Sequence, residues 1–199
     1  MGAASARARS PVETDVTIKP WRILDRKTVY AAPPYIEVSL EKVELPDGRV
    51  IADYHHLRTG AFVTIIAETA DGRLMALRQY RHGVRRIGLS LPGGRIDAGE
   101  APLAAAQREL LEETGAVAAD WSPLSSWETS CTYGFSTSHY FHARNARQVR
   151  APEADDLEGG EIVFLTPKEA LDAIRSQDFL SLGHAAPIAF FLLDKLTRR

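Results

Sequence analysis

The sequence contains little cysteine and no long hydrophobic run, and each shortage excludes a class of protein. Cys131 is the single cysteine among 199 residues. It cannot form an internal disulfide, which favours a reducing, cytoplasmic location. No apolar stretch approaches the ~20 residues needed to cross a bilayer, so we expect no membrane association. Residues 1–10 lack the apolar core of a signal peptide, and we expect residues 1–14 to be a disordered tail.

The chain also lacks an excess of either charge. Its 24 Lys and Arg residues oppose 26 Asp and Glu residues, for a net charge of −2. No basic cluster typical of nucleic-acid binding stands out, so we expect a small-molecule partner and no nucleic acid. Hydrophobic residues make up 45% of the chain, enough for the core of one domain. No catalytic motif surrounds Cys131, which is therefore interpreted as a small packed residue rather than a nucleophile.

The distribution of apolar residues predicts a mixed α/β fold. Strands are expected over segments rich in β-branched and aromatic residues: Trp21–Tyr30, Tyr35–Val43, Val50–His56, Ala61–Ala67, Leu74–Arg81, Ser125–Glu128, Ser138–Ala143 and Ile162–Leu165. Helices are expected over 102–114, between Pro102 and Gly115, from the cap Thr166 to about Arg175, and over about 186–196. The apolar face of the last helix includes Ile188, Phe191, Leu192 and Leu196. A mixed sheet covered by these helices is an α/β sandwich.

The helix over 102–114 carries an acidic face. At about 100° per residue, Glu109, Glu112 and Glu113 fall on one narrow side. The other side, which should face the core, carries Leu103, Ala104, Ala106, Leu110 and Leu111. Neighbouring charges about 6 Å apart repel by roughly 3 kcal/mol per pair at an effective dielectric of about 20. Glu112 and Glu113 also lie in the last turn, where the helix dipole disfavours anions.

A bound cation would relieve both of these costs. The alternative, a solvated acidic face, would have to accept them. Carboxylate oxygens without Cys or His indicate Mg²⁺, with Mn²⁺ as a possible substitute. The sequence therefore predicts a magnesium site on this helix.

The acidic helix belongs to a longer motif. Gly94, five residues, Glu100 and seven further residues precede RELLEETGA at 108–116. Seven fixed identities at about 7% each arise by chance at roughly 10⁻⁸ per start position. The pattern resembles a complete Nudix box. The resemblance implies an α/β/α Nudix sandwich with a mixed sheet and an N-terminal β extension. After the tail, the chain would comprise a dimerising β segment at 15–56 and a Nudix hydrolase domain at 57–199.

The same resemblance implies a role for each matching residue. The metal ligands would be Glu109, Glu113 and the backbone carbonyl of Gly93. Glu112 would be a further ligand or the carboxylate that activates water. Arg108 and Glu100 would form an ion pair that supports the site.

Segments outside the box resemble the ADP-ribose pyrophosphatase branch of the family: Val43–Arg49, Leu77–Arg81 and Leu91–Ile96. In that branch the position of Arg81 contacts the substrate phosphates, a role that suits the forked donors of a guanidinium. An acidic loop at 155–161 corresponds to a loop that carries a catalytic Glu, and Glu158 is the matching residue. A solvated flexible loop is the alternative interpretation.

One departure from this branch keeps the substrate open. ADP-ribose enzymes usually carry a proline shortly after the box, whereas Cys131–Ser136 contains none. GDP-mannose or another nucleotide sugar is therefore the alternative to ADP-ribose. A non-catalytic nucleotide-binding Nudix module is a second alternative, although all the metal carboxylates are present. Tyr133 and Phe135 would either stack on a base or sugar or pack in the core.

The N-terminal strands carry an expectation about assembly. Trp21–His56 resembles the segment that related enzymes exchange between two subunits. Because strands at a sheet edge expose unpaired backbone groups, pairing across a two-fold axis would satisfy them. We therefore expect a homodimer, and the alternative is a monomer whose hairpin folds back on its own sheet.

Overall fold

A computed structural model describes residues 18–153 and 160–197. Its strands are β1 (Arg22–Ala32), β2 (Ile36–Glu44), β3 (Val50–Arg58), β4 (Phe62–Glu68), β5 (Leu74–Arg81), β6 (Arg86–Ser90), β7 (Ala116–Val117), β8 (Asp120–Glu128), β9 (Thr137–Arg144), β10 (Arg147–Gln148) and β11 (Glu161–Leu165). Its helices are α1 (Pro102–Thr114), α2 (Pro167–Arg175) and α3 (Leu182–Thr197). The expected tail at 1–14 lies outside the described residues.

The main sheet has the order β11-β5-β4-β9-β8, and β6 also pairs with β5. Only the β4–β9 pair in this sheet is parallel, so the sheet is mixed, as predicted. Successive side chains of a strand point to opposite faces. In β4, Val63 and Ile65 accordingly join one hydrophobic core with α1, whereas Ile66 joins a second core with α2 and α3. These two cores confirm the α/β/α sandwich.

The N-terminal strands form a separate sheet in the order β1-β2-β3. Its backbone hydrogen bonds to the loop after β8 come from β3 and the residue that follows it. Leu57 N donates to Tyr133 O (2.9 Å) and Thr59 N donates to Phe135 O (2.8 Å). β1 is an edge strand and carries exposed apolar side chains, including Ile23 (55% exposed). The three N-terminal strands therefore pair with one another and not with the strands of the main sheet.

Helix α1 begins and ends where the sequence predicted. Pro102 occupies its first turn, and Gly115 ends it in the left-handed conformation (φ 64°) that glycine adopts without steric cost. The predicted core face was wrong at its N-terminal end, where Leu103 (40%) and Ala104 are exposed. Ala105 is buried instead, because the face of α1 that packs on β4 is the face next to its carboxylates.

Other parts of the prediction need correction. Helix α3 begins at Leu182, so Pro187 lies inside the helix rather than near its start. Leu196, predicted on the apolar face, is 67% exposed, and the buried residues of the helix are Ile188, Phe191 and Leu192. β6 was missed, since its exposed Ile87 (68%) interrupts the expected pattern. None of the helices in the described ranges is long and apolar enough to cross a membrane.

Candidate active site

A cavity of about 430 Å³ lies between α1, the segment 93–97 and the end of β5. It is lined by Arg81, Gly93, Gly94, Arg95, Asp97, Arg108, Glu109, Glu112, Glu113 and Glu153. The structure thus brings together the predicted phosphate-binding arginine and every predicted metal ligand. We call this space the metal cavity. Glu158 lies outside the described residues.

Arg108 organises the acidic side of the metal cavity. Its Nε and Nη2 atoms donate to the two carboxylate oxygens of Glu100, both at 3.0 Å. Its Nη1 atom donates to Glu109 (2.7 Å) and Glu112 (2.9 Å), and Nη2 also donates to the carbonyl of Arg95 (3.0 Å). These carboxylates raise the pKa of Arg108, that of Glu100 most of all. One guanidinium therefore holds three carboxylates and the loop in a single network.

The carboxylates experience different environments in this network. Burial raises the pKa of Glu109, and the hydrogen bond and charge of Arg108 oppose this shift only in part. Hydrogen bonds from Arg108 and from the backbone of Asp97 lower the pKa of Glu100. A nearby cation would favour the ionised form of Glu109 and so oppose the effect of burial.

Two glycines allow the loop to approach the carboxylates. A Cβ on Gly94 would lie 2.5 Å from the carboxylate of Glu109, and a Cβ on Gly93 would lie 2.2 Å from the carbonyl of Val63. The backbone of β4 pairs with this loop, since Val63 N donates to Gly94 O and Ile65 N donates to Pro92 O. That pairing does not use the Gly93 carbonyl. The absence of side chains here brings backbone oxygen and carboxylate oxygen to the same space.

The donor set of the metal cavity fits a hard divalent cation. All its candidate ligands are carboxylate or backbone carbonyl oxygens, which Mg²⁺ and Mn²⁺ prefer. Across 18–153 and 160–197, however, no three His, Cys, Asp or Glu side chains already converge on one point. Glu109 and Glu112 accept hydrogen bonds from Arg108, while Glu113 accepts one from Gly93 N (2.7 Å). Coordination would therefore replace donor contacts that these carboxylates make with the protein.

A second cavity of about 540 Å³ adjoins the first at Arg81, Gly93 and Gly94. We call it the inner cavity. His184 of α3 lines it, and the Nδ1 atom of this residue accepts a hydrogen bond from Leu91 N (3.2 Å). Burial and the charge of Arg81 lower the pKa of His184 to about 4. The imidazole is therefore neutral at pH 7 and carries its proton on Nε2.

Sequence reasoning missed several residues that line the metal cavity. Arg95, Asp97 and Glu153 are among them. Asp97 is an exposed residue of the box, and nothing in the sequence distinguishes it from other surface carboxylates. Glu153 is brought to the site by a contact between distant segments, since its backbone N donates to Glu112 O (2.9 Å). Arg95 was missed because its distinguishing contact is with Tyr35, which is distant along the chain. The spacing of a motif cannot reveal such a contact.

The loop after the box also differs from expectation. Cys131 is exposed, so its interpretation as a packed residue was wrong. Tyr133 (50%) and Phe135 (39%) are exposed too, which rules out core packing for either. The backbone carbonyl of Tyr133 accepts from Leu57 N in β3, and that of Phe135 accepts from Thr59 N just after β3. These two residues thus contact the N-terminal sheet through their backbone, while their side chains lie at the surface.

Comparisons with known proteins agree with this geometry. Residues 57–182 match the NUDIX domain family, and residues 21–57 match the nucleoside diphosphate sugar hydrolase N-terminal domain. An ADP-ribose pyrophosphatase of Bacillus subtilis is 29% identical over 80% of this chain and 86% of its own length. An ADP-ribose pyrophosphatase of Mycobacterium tuberculosis is 34% identical over 57% of this chain and 55% of its own length. A crystal structure of an ADP compounds hydrolase matches with a TM-score of 0.78 and 25% identity, over 92% of this chain and 97% of that one.

The sandwich and its acidic cavity define a hydrolase of phosphoric anhydrides that uses a divalent metal cation. The chain belongs to the Nudix family. Within that family it hydrolyses the pyrophosphate bond of a nucleoside diphosphate sugar. The alternative of a non-catalytic module is therefore set aside.

Proposed function

We propose that this enzyme hydrolyses ADP-ribose to AMP and ribose 5-phosphate and that its metal is Mg²⁺. The observation that carries the proposal is the metal cavity, where Arg81 and three glutamates of one helix face the same space. The two ADP-ribose pyrophosphatases among its relatives support the choice of substrate. GDP-mannose is the second candidate, because Cys131–Ser136 carries no proline.

The metal would be held by Glu109, Glu112, Glu113 and the carbonyl of Gly93. When bound, such an ion polarises a phosphate oxygen and lowers the pKa of a water molecule. Arg81 orients the diphosphate through its forked donors. Arg108 and Glu100 position the glutamates and do not touch the substrate. Glu158 is the proposed general base that accepts the proton of the attacking water at a carboxylate oxygen.

A substrate panel tests the proposal. The full-length protein is incubated with ADP-ribose, GDP-mannose or another nucleotide sugar in the presence of Mg²⁺, and the released AMP or GMP is quantified. We expect the highest kcat/KM for ADP-ribose and loss of turnover with EDTA. Preference for GDP-mannose would contradict the assignment of substrate, and turnover unaffected by EDTA would contradict the metal.

We also propose a homodimer formed by the N-terminal segment. The support is the free edge of β1 and its exposed apolar side chains, because such an edge is a template for pairing with another chain. Light scattering of Ile23→Lys should report a monomer at micromolar concentration. Ile87→Lys, at an isoleucine of β6 that is also exposed (68%), is the matched control and should remain dimeric. A wild-type monomer with full activity would refute the dimer.

The domain limits and the location complete the proposal. The β segment at 15–56 would mediate dimerisation, and 57–199 would carry the catalytic machinery. A cytoplasmic location is supported by the single, exposed Cys131, since an exposed thiol is kept reduced there. Deletion through residue 56 should abolish the dimer, whereas deletion of residues 1–14 should not.

A further inference from the structure

Three arginines line the metal cavity, and they differ in their carboxylate partners. Arg108 donates to Glu100, Glu109 and Glu112, so its charge is committed to the protein. Arg95 forms no ion pair with any residue in the described ranges. It is nevertheless one of the residues that line a cavity rich in carboxylates. A cation in this position is available to an anionic ligand.

The side chain of Arg95 is held by residues from outside the box. Its guanidinium carbon lies 5.2 Å from the ring centroid of Tyr35, which belongs to the β1–β2 turn. Its Cδ atom passes over Gly60, where a Cβ would lie only 3.0 Å away. On the backbone side, the carbonyl of Arg95 accepts a hydrogen bond from Arg108. The guanidinium is thus positioned before a ligand arrives, which reduces the entropy lost on binding.

The charges of the cavity explain why a diphosphate needs a cation there in addition to Arg81. Asp97, Glu109, Glu112, Glu113 and Glu153 all line the space that a diphosphate has to enter. A bound metal offsets part of this negative charge, and Arg81 lines both this cavity and the inner cavity. Arg95 is the remaining arginine that lines the metal cavity. Its planar donors suit two phosphate oxygens at once.

We propose that Arg95 forms a second phosphate-binding subsite, held in place by Tyr35 and Gly60, that binds the diphosphate of the substrate together with Arg81. The proposal rests on the function proposed above. It makes Arg95 a binding residue and Tyr35 a positioning residue. The N-terminal sheet thereby contributes to substrate binding through a contact within one chain.

Kinetics of Arg95 variants test this subsite. Arg95→Met keeps the aliphatic packing on Gly60 but removes the charge. A hydrogen bond to a charged group corresponds to a change of about 10- to 100-fold in affinity, so KM for ADP-ribose should rise by about that factor while kcat changes by less than about 3-fold. Arg95→Lys should restore only part of the loss, because it keeps the charge without the fork. Arg175→Ala, at an exposed arginine of α2, is the control and should leave both constants unchanged.

A double-mutant cycle tests the role of Tyr35. Tyr35→Ala should raise KM by about 2- to 5-fold, as expected for loss of an exposed cation–π contact. Tyr35→Phe, which keeps the ring, should not. In the Arg95→Met background Tyr35→Ala should have no further effect. An equal effect in both backgrounds would overturn the positioning role.

Direct binding separates this inference from the proposed function. Inorganic pyrophosphate is titrated into the Mg²⁺-loaded wild type and into Arg95→Met, with melting temperature as the check on folding. Weaker pyrophosphate binding by the variant supports the subsite, whether or not a nucleotide sugar is hydrolysed. Absence of hydrolysis would contradict only the proposed function. Active wild type with unchanged KM and unchanged pyrophosphate affinity in Arg95→Met would overturn the subsite.

Discussion

Replacing His184 by asparagine should flatten the dependence of stability on pH below neutrality. His184 is a half-buried imidazole whose Nδ1 accepts from Leu91 N. Burial and the facing charge of Arg81 favour its neutral form and lower its pKa from 6.5 to about 4. Asparagine keeps an acceptor near the Nδ1 position but does not titrate. The variant therefore removes the proton-binding group and preserves the hydrogen bond.

The sign of the effect follows from proton binding in the two states. Between pH 6.5 and 4 the unfolded chain binds a proton at His184 that the folded protein does not, so stability is full above 6.5 and falls as pH decreases to about 4. One pKa unit corresponds to about 1.4 kcal/mol, so the complete loss is about 3 kcal/mol. Between pH 7 and pH 5 the loss is about 2 kcal/mol.

Urea titrations of wild type and His184→Asn at the two pH values measure this difference. The free energy of unfolding of the wild type should drop by about 2 kcal/mol more than that of the variant. His142, whose pKa is also lowered by burial, is common to both proteins, and its contribution cancels. Equal drops in the two proteins would show that His184 is not held neutral by the fold.

Three further predictions concern the site itself. Glu113→Gln should keep the fold, because the amide oxygen can still accept from Gly93 N, yet lower kcat by on the order of 10³; near-normal turnover would contradict the metal assignment. Arg108→Ala should lower both melting temperature and kcat/KM, because three carboxylates lose their shared donor; unchanged melting with a raised KM would instead place Arg108 on the substrate. Glu158→Gln should lower kcat by about 10²-fold or more with little change in KM, and the same loss in Glu153→Gln alone would move the general base to Glu153, which lines the cavity.

Some elements could be predicted from sequence because their limits are set locally. Pro102 and Gly115 enclose α1, and Thr166 forms the predicted cap of α2 through a capping box with Glu169. β4 was recognised because both its faces are buried, one against each core. Each of these signals acts within a few residues along the chain.

Other features depend on packing between distant segments. The exposure of Leu103 follows from the direction in which α1 lies on β4, which no helical wheel specifies. β6 is a strand because it pairs with β5. On its other side, Leu89 N donates to Asp178 O, and Leu180 N donates to Leu89 O. The box identified the carboxylates of the site, but their common dependence on one guanidinium became visible only in three dimensions.

The division of labour around the metal cavity explains why the box alone leaves the substrate undetermined. The glutamates and Arg108 all lie on α1 and serve the chemistry of the anhydride. Residues from outside α1 line the adjoining space: Arg95, the proposed diphosphate-binding residue, contacts Tyr35 of the β1–β2 turn, and His184 of α3 lines the inner cavity. Because these contacts bear on binding rather than on the metal, changes in the N-terminal sheet should alter KM before they alter kcat. We therefore expect substrate choice to depend on residues of the flanking elements as well as on the box.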